Sequence, residues 1–154
     1  MGFLNTVKGW LNIGGVSCKL QGVSQRVSRS GNLIDGRVLL TSKGEKQVLS
    51  LRYQFVMKHT SGPSDKRESK EYIIAETVQD EPFEMTEGET KTVEFTIPYR
   101  IEPRLRERGG LLGAFGQMTS LVADEREDYF IRAMCDVKGT ALDPGDRVEV
   151  VLVD

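Results

Sequence analysis

The side chains that most often carry out catalysis are scarce in this chain of 154 residues. It contains one histidine, His59, and two cysteines, Cys18 and Cys135, which lie far apart in the sequence. A catalytic triad or a histidine-based metal site needs a histidine that a partner holds in place. His59 is followed by Thr60 and Ser61, which predict a surface turn, and two cysteines without a Cys-x-x-Cys pair predict no zinc site.

Glycine-rich and acidic segments also depart from the patterns of known sites. Residues 109–116 contain four glycines but lack the Gly-Lys-Ser/Thr ending of a phosphate-binding loop. The acidic pairs at 124–125 and 127–128 could help to bind calcium, but their spacing is not that of an EF-hand loop. Two carboxylates across a cleft could serve a glycosidase, yet nothing selects such a pair from 23 acidic residues. We therefore predict a protein that is not an enzyme and has no cofactor and no metal, with the carboxylate pair as an alternative.

The length predicts one domain that covers residues 1–154. The lack of a secretory signal and of a membrane-spanning run predicts a cytoplasmic protein. The net charge of −2 and the lack of basic stripes argue against a nucleic-acid partner. The first residues do not resemble a secretory signal, and no apolar run approaches the ~20 residues that span a bilayer. In a reducing cytosol the two cysteines are expected to be buried and reduced, with a disulfide between them as the alternative.

Most of the chain shows the two-residue period of half-buried β-strands. We expect a strand around 72–78, a short edge strand at 83–85 and a polar turn at 59–68. Pro98 should end the strand that contains Val93, Phe95 and Ile97. The inward positions of the predicted strands are Val16, Cys18 and Leu20; Ile34, Gly36, Val38 and Leu40; Leu49, Leu51, Tyr53, Phe55 and Met57; and Val93, Phe95 and Ile97.

The end of the chain predicts two more strands, Tyr129–Lys138 and Asp146–Val153. Both are rich in β-branched and aromatic residues. Between them, Pro144 and Gly145 fit the central pair of a type II turn. Together these elements predict an all-β antiparallel sandwich of about seven or eight strands.

Residues 1–13 predict a short N-terminal helix that Gly14 and Gly15 end. Its apolar residues share one helix face, and it carries a single lysine, Lys8. Such a helix could dock on the domain, or it could anchor the chain to a membrane or a partner. The apolar residues are Phe3, Leu4, Val7, Trp10 and Leu11.

Residues 100–127 form an unusually long crossover between predicted strands. Alternate arginines are followed by apolar residues at helical spacing. The segment could cover one end of the sandwich, or it could be a docking surface with a basic root and an apolar ridge. The candidate partner-binding residues are Arg104, Arg106, Arg108, Leu111, Leu112, Phe115 and Met118.

The order of these elements resembles the arrestin-like β-sandwich superfamily and, within it, the bacterial sporulation-control family of the stage-zero protein M type. The likeness covers about residues 1–153. It is carried by Ile13-Gly14-Gly15 with the strand Val16–Leu20, by Ile34–Leu40, by the long hairpin with Tyr53 and Phe55, by Glu87-Gly88-Glu89 leading into Val93–Tyr99, and by the final hairpin with its Asp143–Asp146 turn.

The resemblance implies an immunoglobulin-like (arrestin-like) sandwich that acts as a bacterial regulator or adaptor and binds a protein partner without catalysis. Members of this family are commonly longer, with two sandwich domains, and this chain looks like the first of them. Two alternatives stay open. One is a membrane- or lipid-surface module that uses the N-terminal helix and the arginines at 100–108, and the other is a homo-oligomer formed through sheet edges.

If the crossover is a docking surface, replacing Leu112 and Phe115 with serine should abolish partner capture. The thermal midpoint should stay nearly unchanged, because exposed apolar side chains add little to folding. Affinity capture from the native host and thermal unfolding of the same variant measure the two effects. A collapse of stability would show instead that the segment belongs to the core.

Overall fold

The computed structural model of the protein describes residues 15–63, 65–101, 125–140 and 142–154. Within these ranges the chain forms nine β-strands and no α-helix. The predicted helix at 1–13 and residues 102–124 of the predicted crossover lie outside them. The strands are β1 (Val16–Gln21), β2 (Arg26–Ser28), β3 (Leu33–Ser42), β4 (Lys46–Ser61), β5 (Glu68–Gln79), β6 (Phe83–Met85), β7 (Thr90–Pro98), β8 (Arg126–Val137) and β9 (Gly145–Val153).

The strands form two sheets of unequal width. The narrow sheet has the order β1-β3-β7, and the wide sheet has the order β2-β9-β8-β4-β5, with β6 pairing the start of β4. All ladders are antiparallel except the β2–β9 pair, which is parallel. The prediction of an all-β fold is therefore confirmed, but purely antiparallel pairing is wrong. The three residues of β2 are too few to show a period in the sequence.

The inward residues of the two sheets form one hydrophobic core. The strand faces predicted from alternation are correct for β1, β3 and β7, whose inward apolar residues, apart from the partly buried Val93, are buried. In the middle of the core the ring of Tyr53, from the wide sheet, stacks on Phe95, from the narrow sheet, at 4.1 Å between centroids. Phe55 meets Tyr99 edge-on at 5.4 Å. Aromatic contacts of this kind add about 1 kcal/mol beyond area burial.

Two irregularities interrupt the ladders of β4, and the first of them, which has its extra residue in β4, changes the predicted facing at the start of this strand. Leu49 was expected to face inward, but the pairing with β8 shifts between Val48 and Ser50, so Val48 is buried in its place. A second shift, in the pairing with β5, follows Phe55, and its extra residue is Ile74 of β5. Strict alternation cannot foresee a β-bulge, because the extra residue reverses the inward and outward sense of everything beyond it.

Two predicted turns are also displaced. His59 lies within β4, opposite Lys70 and Glu127, and the turn is confined to 62–67. Gly145 is the first residue of β9 and does not have the positive φ of a type II turn. A Cβ at Gly145 would lie 2.7 Å from the carbonyl oxygen of Ala133, so this glycine permits close approach of two strands.

Gly36 leaves the space that the aromatic stack occupies. Its strand position faces the core, and an added Cβ would lie 2.6 Å from Cζ of Phe95 and 2.8 Å from Cγ2 of Val23. Its φ is not in the left-handed region, so the constraint is packing alone.

We expect the Gly36→Ala variant to lose about 1–3 kcal/mol of unfolding free energy, the usual cost of overpacking a core. Gly44→Ala is the matched control, because nothing lies within 4 Å of a Cβ at that position and its φ is ordinary. Urea denaturation followed by intrinsic fluorescence measures both. Equal stability of the two variants would show that Phe95 can move at no cost.

Candidate functional site

Sheet edges are candidate sites in a sandwich, because they carry backbone groups without a strand partner. The ends of the two sheets are β1, β7, β2 and β5. β2 has only three residues, too few to template a guest strand. At β1, the backbone N–H of Leu20 donates to Oδ2 of Asp146 on β9 at 2.9 Å, which ties this edge to the facing sheet.

The edge of β5 is interrupted and charged. Its pairing with β4 shifts where Ala75 is opposite Phe55 and Ile73 is opposite Val56, so an extra residue lies in its middle. Its first half carries Glu68, Lys70 and Glu71. Bulges and exposed charges are the devices by which proteins keep edge strands from pairing with other chains.

The edge of β7 has no such interruption, although it also carries two charged residues, Lys91 and Glu94. All nine of its residues pair with β3 in one unbroken register. In an antiparallel ladder, alternate residues direct both backbone groups away from their neighbour. Tyr99 donates its N–H to Asn32 on the β3 side, whereas the carbonyl of Glu94 accepts a bond from outside the sheet. Thr92, Glu94 and Thr96 therefore present their N–H and C=O groups to the outer edge of β7, where no other strand of the described residues pairs with them.

A groove runs along this edge, because β5 of the wide sheet extends past β7 of the narrow one. Three adjoining depressions of about 550, 470 and 840 Å³ follow β7 from its start to its end. Apolar residues from both sheets line the first and the last of them, and Leu33 is 49% exposed in the last. The lining of the middle one is mainly polar and includes Asp35, Arg37 and Glu94. The apolar and aromatic lining includes Leu33, Ile74, Ala75, Val93, Pro98 and Tyr99.

One side chain bridges the groove. Nε2 of Gln79 on β5 donates to the backbone oxygen of Glu94 at 3.1 Å. The hydroxyl of Tyr53 donates to Oε1 of the same Gln79 at 2.8 Å. Burial is the largest cause that raises the pKa of Tyr53, so this hydroxyl keeps its proton and remains a donor. The aromatic stack of the core thus fixes the side chain that caps the β7 edge.

Charges differ between the two ends of the groove. Asp80 and Glu81 line the end near the start of β7, beside Lys91. The ammonium of Lys91 lies 3.9 Å from the centre of the Phe83 ring. Arg100 lines the opposite end, beyond Pro98, together with Glu76. The carboxylate of Glu76 accepts a bond from Gln54 and lies 3.8 Å from Nε of Arg52, which offsets its charge, so Arg100 supplies the remaining charge of that end among the described residues. The groove is therefore acidic where β7 begins and basic where β7 ends.

A second polar cluster lies on the outer face of the wide sheet. Oε1 of the buried Gln54 accepts bonds from Nη2 and Nε of Arg132 at 2.7 and 3.0 Å, and its Nε2 donates to Glu76. Nη1 of Arg132 forms an ion pair with Glu71 at 3.0 Å. Each polar atom of Gln54 thus has a partner, so the cluster is a structural network and offers no free group for chemistry.

The candidate partner-binding residues predicted from sequence all lie at 104–118, outside the described residues, so the docking surface there stays a prediction. The β7 edge was missed. Its only sequence signal is the polar alternation of Thr92, Glu94 and Thr96 before Pro98, which any half-exposed strand would share. Whether a strand is central or at an edge depends on pairing across the whole sheet.

The described residues contain no cluster of three or more histidine, cysteine or acidic side chains that could hold a metal ion. Nor does that part of the chain include a helix long and apolar enough to cross a membrane.

Both cysteines are free and buried in the core. Burial is the main cause that raises the pKa of Cys18, and Cys135 raises it further. Burial, helped by Asp143 and Asp136, raises the pKa of Cys135 to about 12. A thiol is nucleophilic only as the thiolate, so neither residue is suited to catalysis near neutral pH.

We expect stability to fall as pH rises above about 8.5, the pKa of an unperturbed thiol. Above that pH the unfolded chain releases the thiol protons and the folded chain keeps them. By pH 9.5 this costs about 1.4 kcal/mol for each thiol. Urea denaturation at pH 7 and pH 9.5 measures the difference, and a Cys18→Ala, Cys135→Ala double variant should show a smaller one. An identical pH dependence in both proteins would contradict the assignment.

Comparison with known proteins supports the fold. No protein-family model matches the chain, and no curated protein matches it. Among solved structures, the chain is similar to the sporulation control protein Spo0M of Bacillus subtilis, with a TM-score of 0.65 and 13% sequence identity. The match covers 92% of this chain and 51% of that protein, so the chain spans about half of its length. At this identity the similarity shows a shared fold, consistent with the predicted arrestin-like sandwich.

Proposed function

We propose that this protein is a non-catalytic regulator that acts by binding another protein at the free edge of β7. The observation that carries the proposal is the unbroken β7 edge lying beside an apolar groove. Strand addition to such an edge is a common mode of peptide recognition, in which main-chain hydrogen bonds give affinity and adjacent pockets give specificity.

The edge can supply a useful binding energy. Thr92, Glu94 and Thr96 together present three N–H and three C=O groups outward, which follows from their register with β3. Each main-chain hydrogen bond contributes about 0.5–1.5 kcal/mol net. The groove adds apolar surface from Leu33 and Ile74 that a guest would remove from water.

The regulatory part of the proposal is supported by fold similarity. Spo0M, the similar protein of known structure, is a sporulation control protein. This chain has the same fold over about half of that protein's length. We propose a comparable control role here, exercised through protein binding in the bacterial cytoplasm.

The Thr96→Pro variant tests the binding edge. Proline removes an N–H that points away from β3, so the β3–β7 ladder keeps all of its bonds and the thermal midpoint should change little. We expect partner capture from the host to be lost. Once mass spectrometry has identified the partner, the dissociation constant of the purified pair should rise at least about tenfold, the equivalent of about 1.4 kcal/mol.

The Leu112→Ser, Phe115→Ser variant serves as the comparison. If it loses the partner while Thr96→Pro retains it, the partner binds at the crossover and the proposal for the β7 edge is wrong. Sedimentation of the purified protein covers self-association. A dimer that Thr96→Pro dissociates would identify the partner as a second copy of this chain.

A further inference from the structure

We infer that the β7 edge recognises an extended segment of about seven residues that pairs antiparallel with residues 92–98 and has an acidic residue at its start and a basic residue at its end. The inference rests on the proposed function and specifies the chemistry and the direction of the partner. It follows from three observations: the register of β7, the apolar lining of the groove and the charges at its two ends.

The register fixes which guest residues face inward. Residues directly opposite each other in an antiparallel pair share one face of the sheet. Guest residues opposite Val93, Phe95 and Ile97 therefore face the groove, where Ile74 and Ala75 of β5 lie. These positions should be apolar, and the alternate guest positions should be polar.

The same register fixes the backbone bonds. Guest residues opposite Thr96, Glu94 and Thr92 would exchange bonds with the outward groups of the β7 edge. The carbonyl of Glu94 already accepts a bond from Nε2 of Gln79 at 3.1 Å, so the guest N–H must replace the Gln79 side chain as its donor. Proline is excluded at these guest positions, because it has no N–H to donate.

The charges fix the direction. An antiparallel guest starts beside Arg100, at the end of β7, and finishes beside Asp80 and Glu81, at its start. Lys91 is the one cation among the described residues lining the acidic end, and its ammonium lies over the Phe83 ring. In the middle of the groove, Asp35 and Glu94 lie beside Arg37, so one negative charge remains there; it lies between the two ends and favours neither direction. A guest that is acidic first and basic last therefore complements both ends.

The direct test uses two capped, fluorescein-labelled peptides, Glu-Val-Thr-Val-Thr-Val-Lys and Lys-Val-Thr-Val-Thr-Val-Glu. They have the same composition and the same alternation, and only the two charges are exchanged. With the full chain, fluorescence anisotropy should show about three- to tenfold tighter binding of the peptide that starts with glutamate, since cross-strand charge pairs are individually modest. Equal binding, or a preference for the other peptide, would overturn the inference.

Protein variants test whether the groove charges set this preference. Asp80→Lys combined with Glu81→Lys should abolish or reverse it. Glu45→Lys combined with Glu87→Lys makes the same change in net charge at two exposed positions away from the groove, and the preference should persist. If both pairs of substitutions have the same effect, the preference reflects net charge and the inference is wrong.

Methylated peptides test the pairing itself and leave the protein unchanged. N-methylation of the two threonines removes the guest N–H groups that face β7, and it should abolish binding. N-methylation of the central valine blocks an N–H that points away, and it should be tolerated. Equal loss with both would overturn strand addition.

The outcomes separate the inference from the proposed function. Loss of the natural partner in Thr96→Pro together with no directional preference of the peptides would overturn only the inference. Retention of that partner in Thr96→Pro would overturn both.

Discussion

The contact between Tyr53 and Phe95 joins the two sheets, and through Gln79 it is also linked to the backbone of β7, the edge strand of the narrow sheet. The rings stack at 4.1 Å across the interior, in the space that Gly36 leaves open. The Tyr53 hydroxyl continues outward to Gln79, whose amide caps the Glu94 carbonyl. A buried aromatic residue with a polar end normally finds a partner for it. Here the partner is Gln79, so the packing of Tyr53 in the core also positions the side chain that bonds to the Glu94 carbonyl at the β7 edge.

Unequal sheet width explains why one side of the sandwich is a groove and the other is closed. β1 lies against β9, where Asp146 accepts the N–H of Leu20 and satisfies an edge donor. β7 lies against β4 and β5, and the wide sheet extends past it. The single bond from Gln79 leaves the outward groups of Thr92 and Thr96 without a partner among the described residues. Such groups are stable in water, but they also favour an added strand.

The two buried thiols and the polar network of the wide sheet have structural roles. The thiols of Cys18 and Cys135 are held protonated by burial, and the polar network around Gln54 and Arg132 satisfies its own bonds. These groups stabilise the fold and offer nothing reactive to a substrate. Recognition by backbone and shape is the chemistry on which the proposed binding at the β7 edge relies.

Alternation by itself determined most of the strands and their inward faces, as Val38, Tyr53 and Ile97 show, because burial on one side of a sheet imposes a two-residue period. The bulges beside Val48 and Phe55, the parallel β2 and the exposed edge of β7 depended on tertiary structure. Each of them is set by which strands become neighbours, and that choice follows from packing residues far apart in the chain. The pattern of residues 92–98 is the same whether their outer edge is paired or not, so only the assembled sheet decided that β7 is an end strand among the described residues.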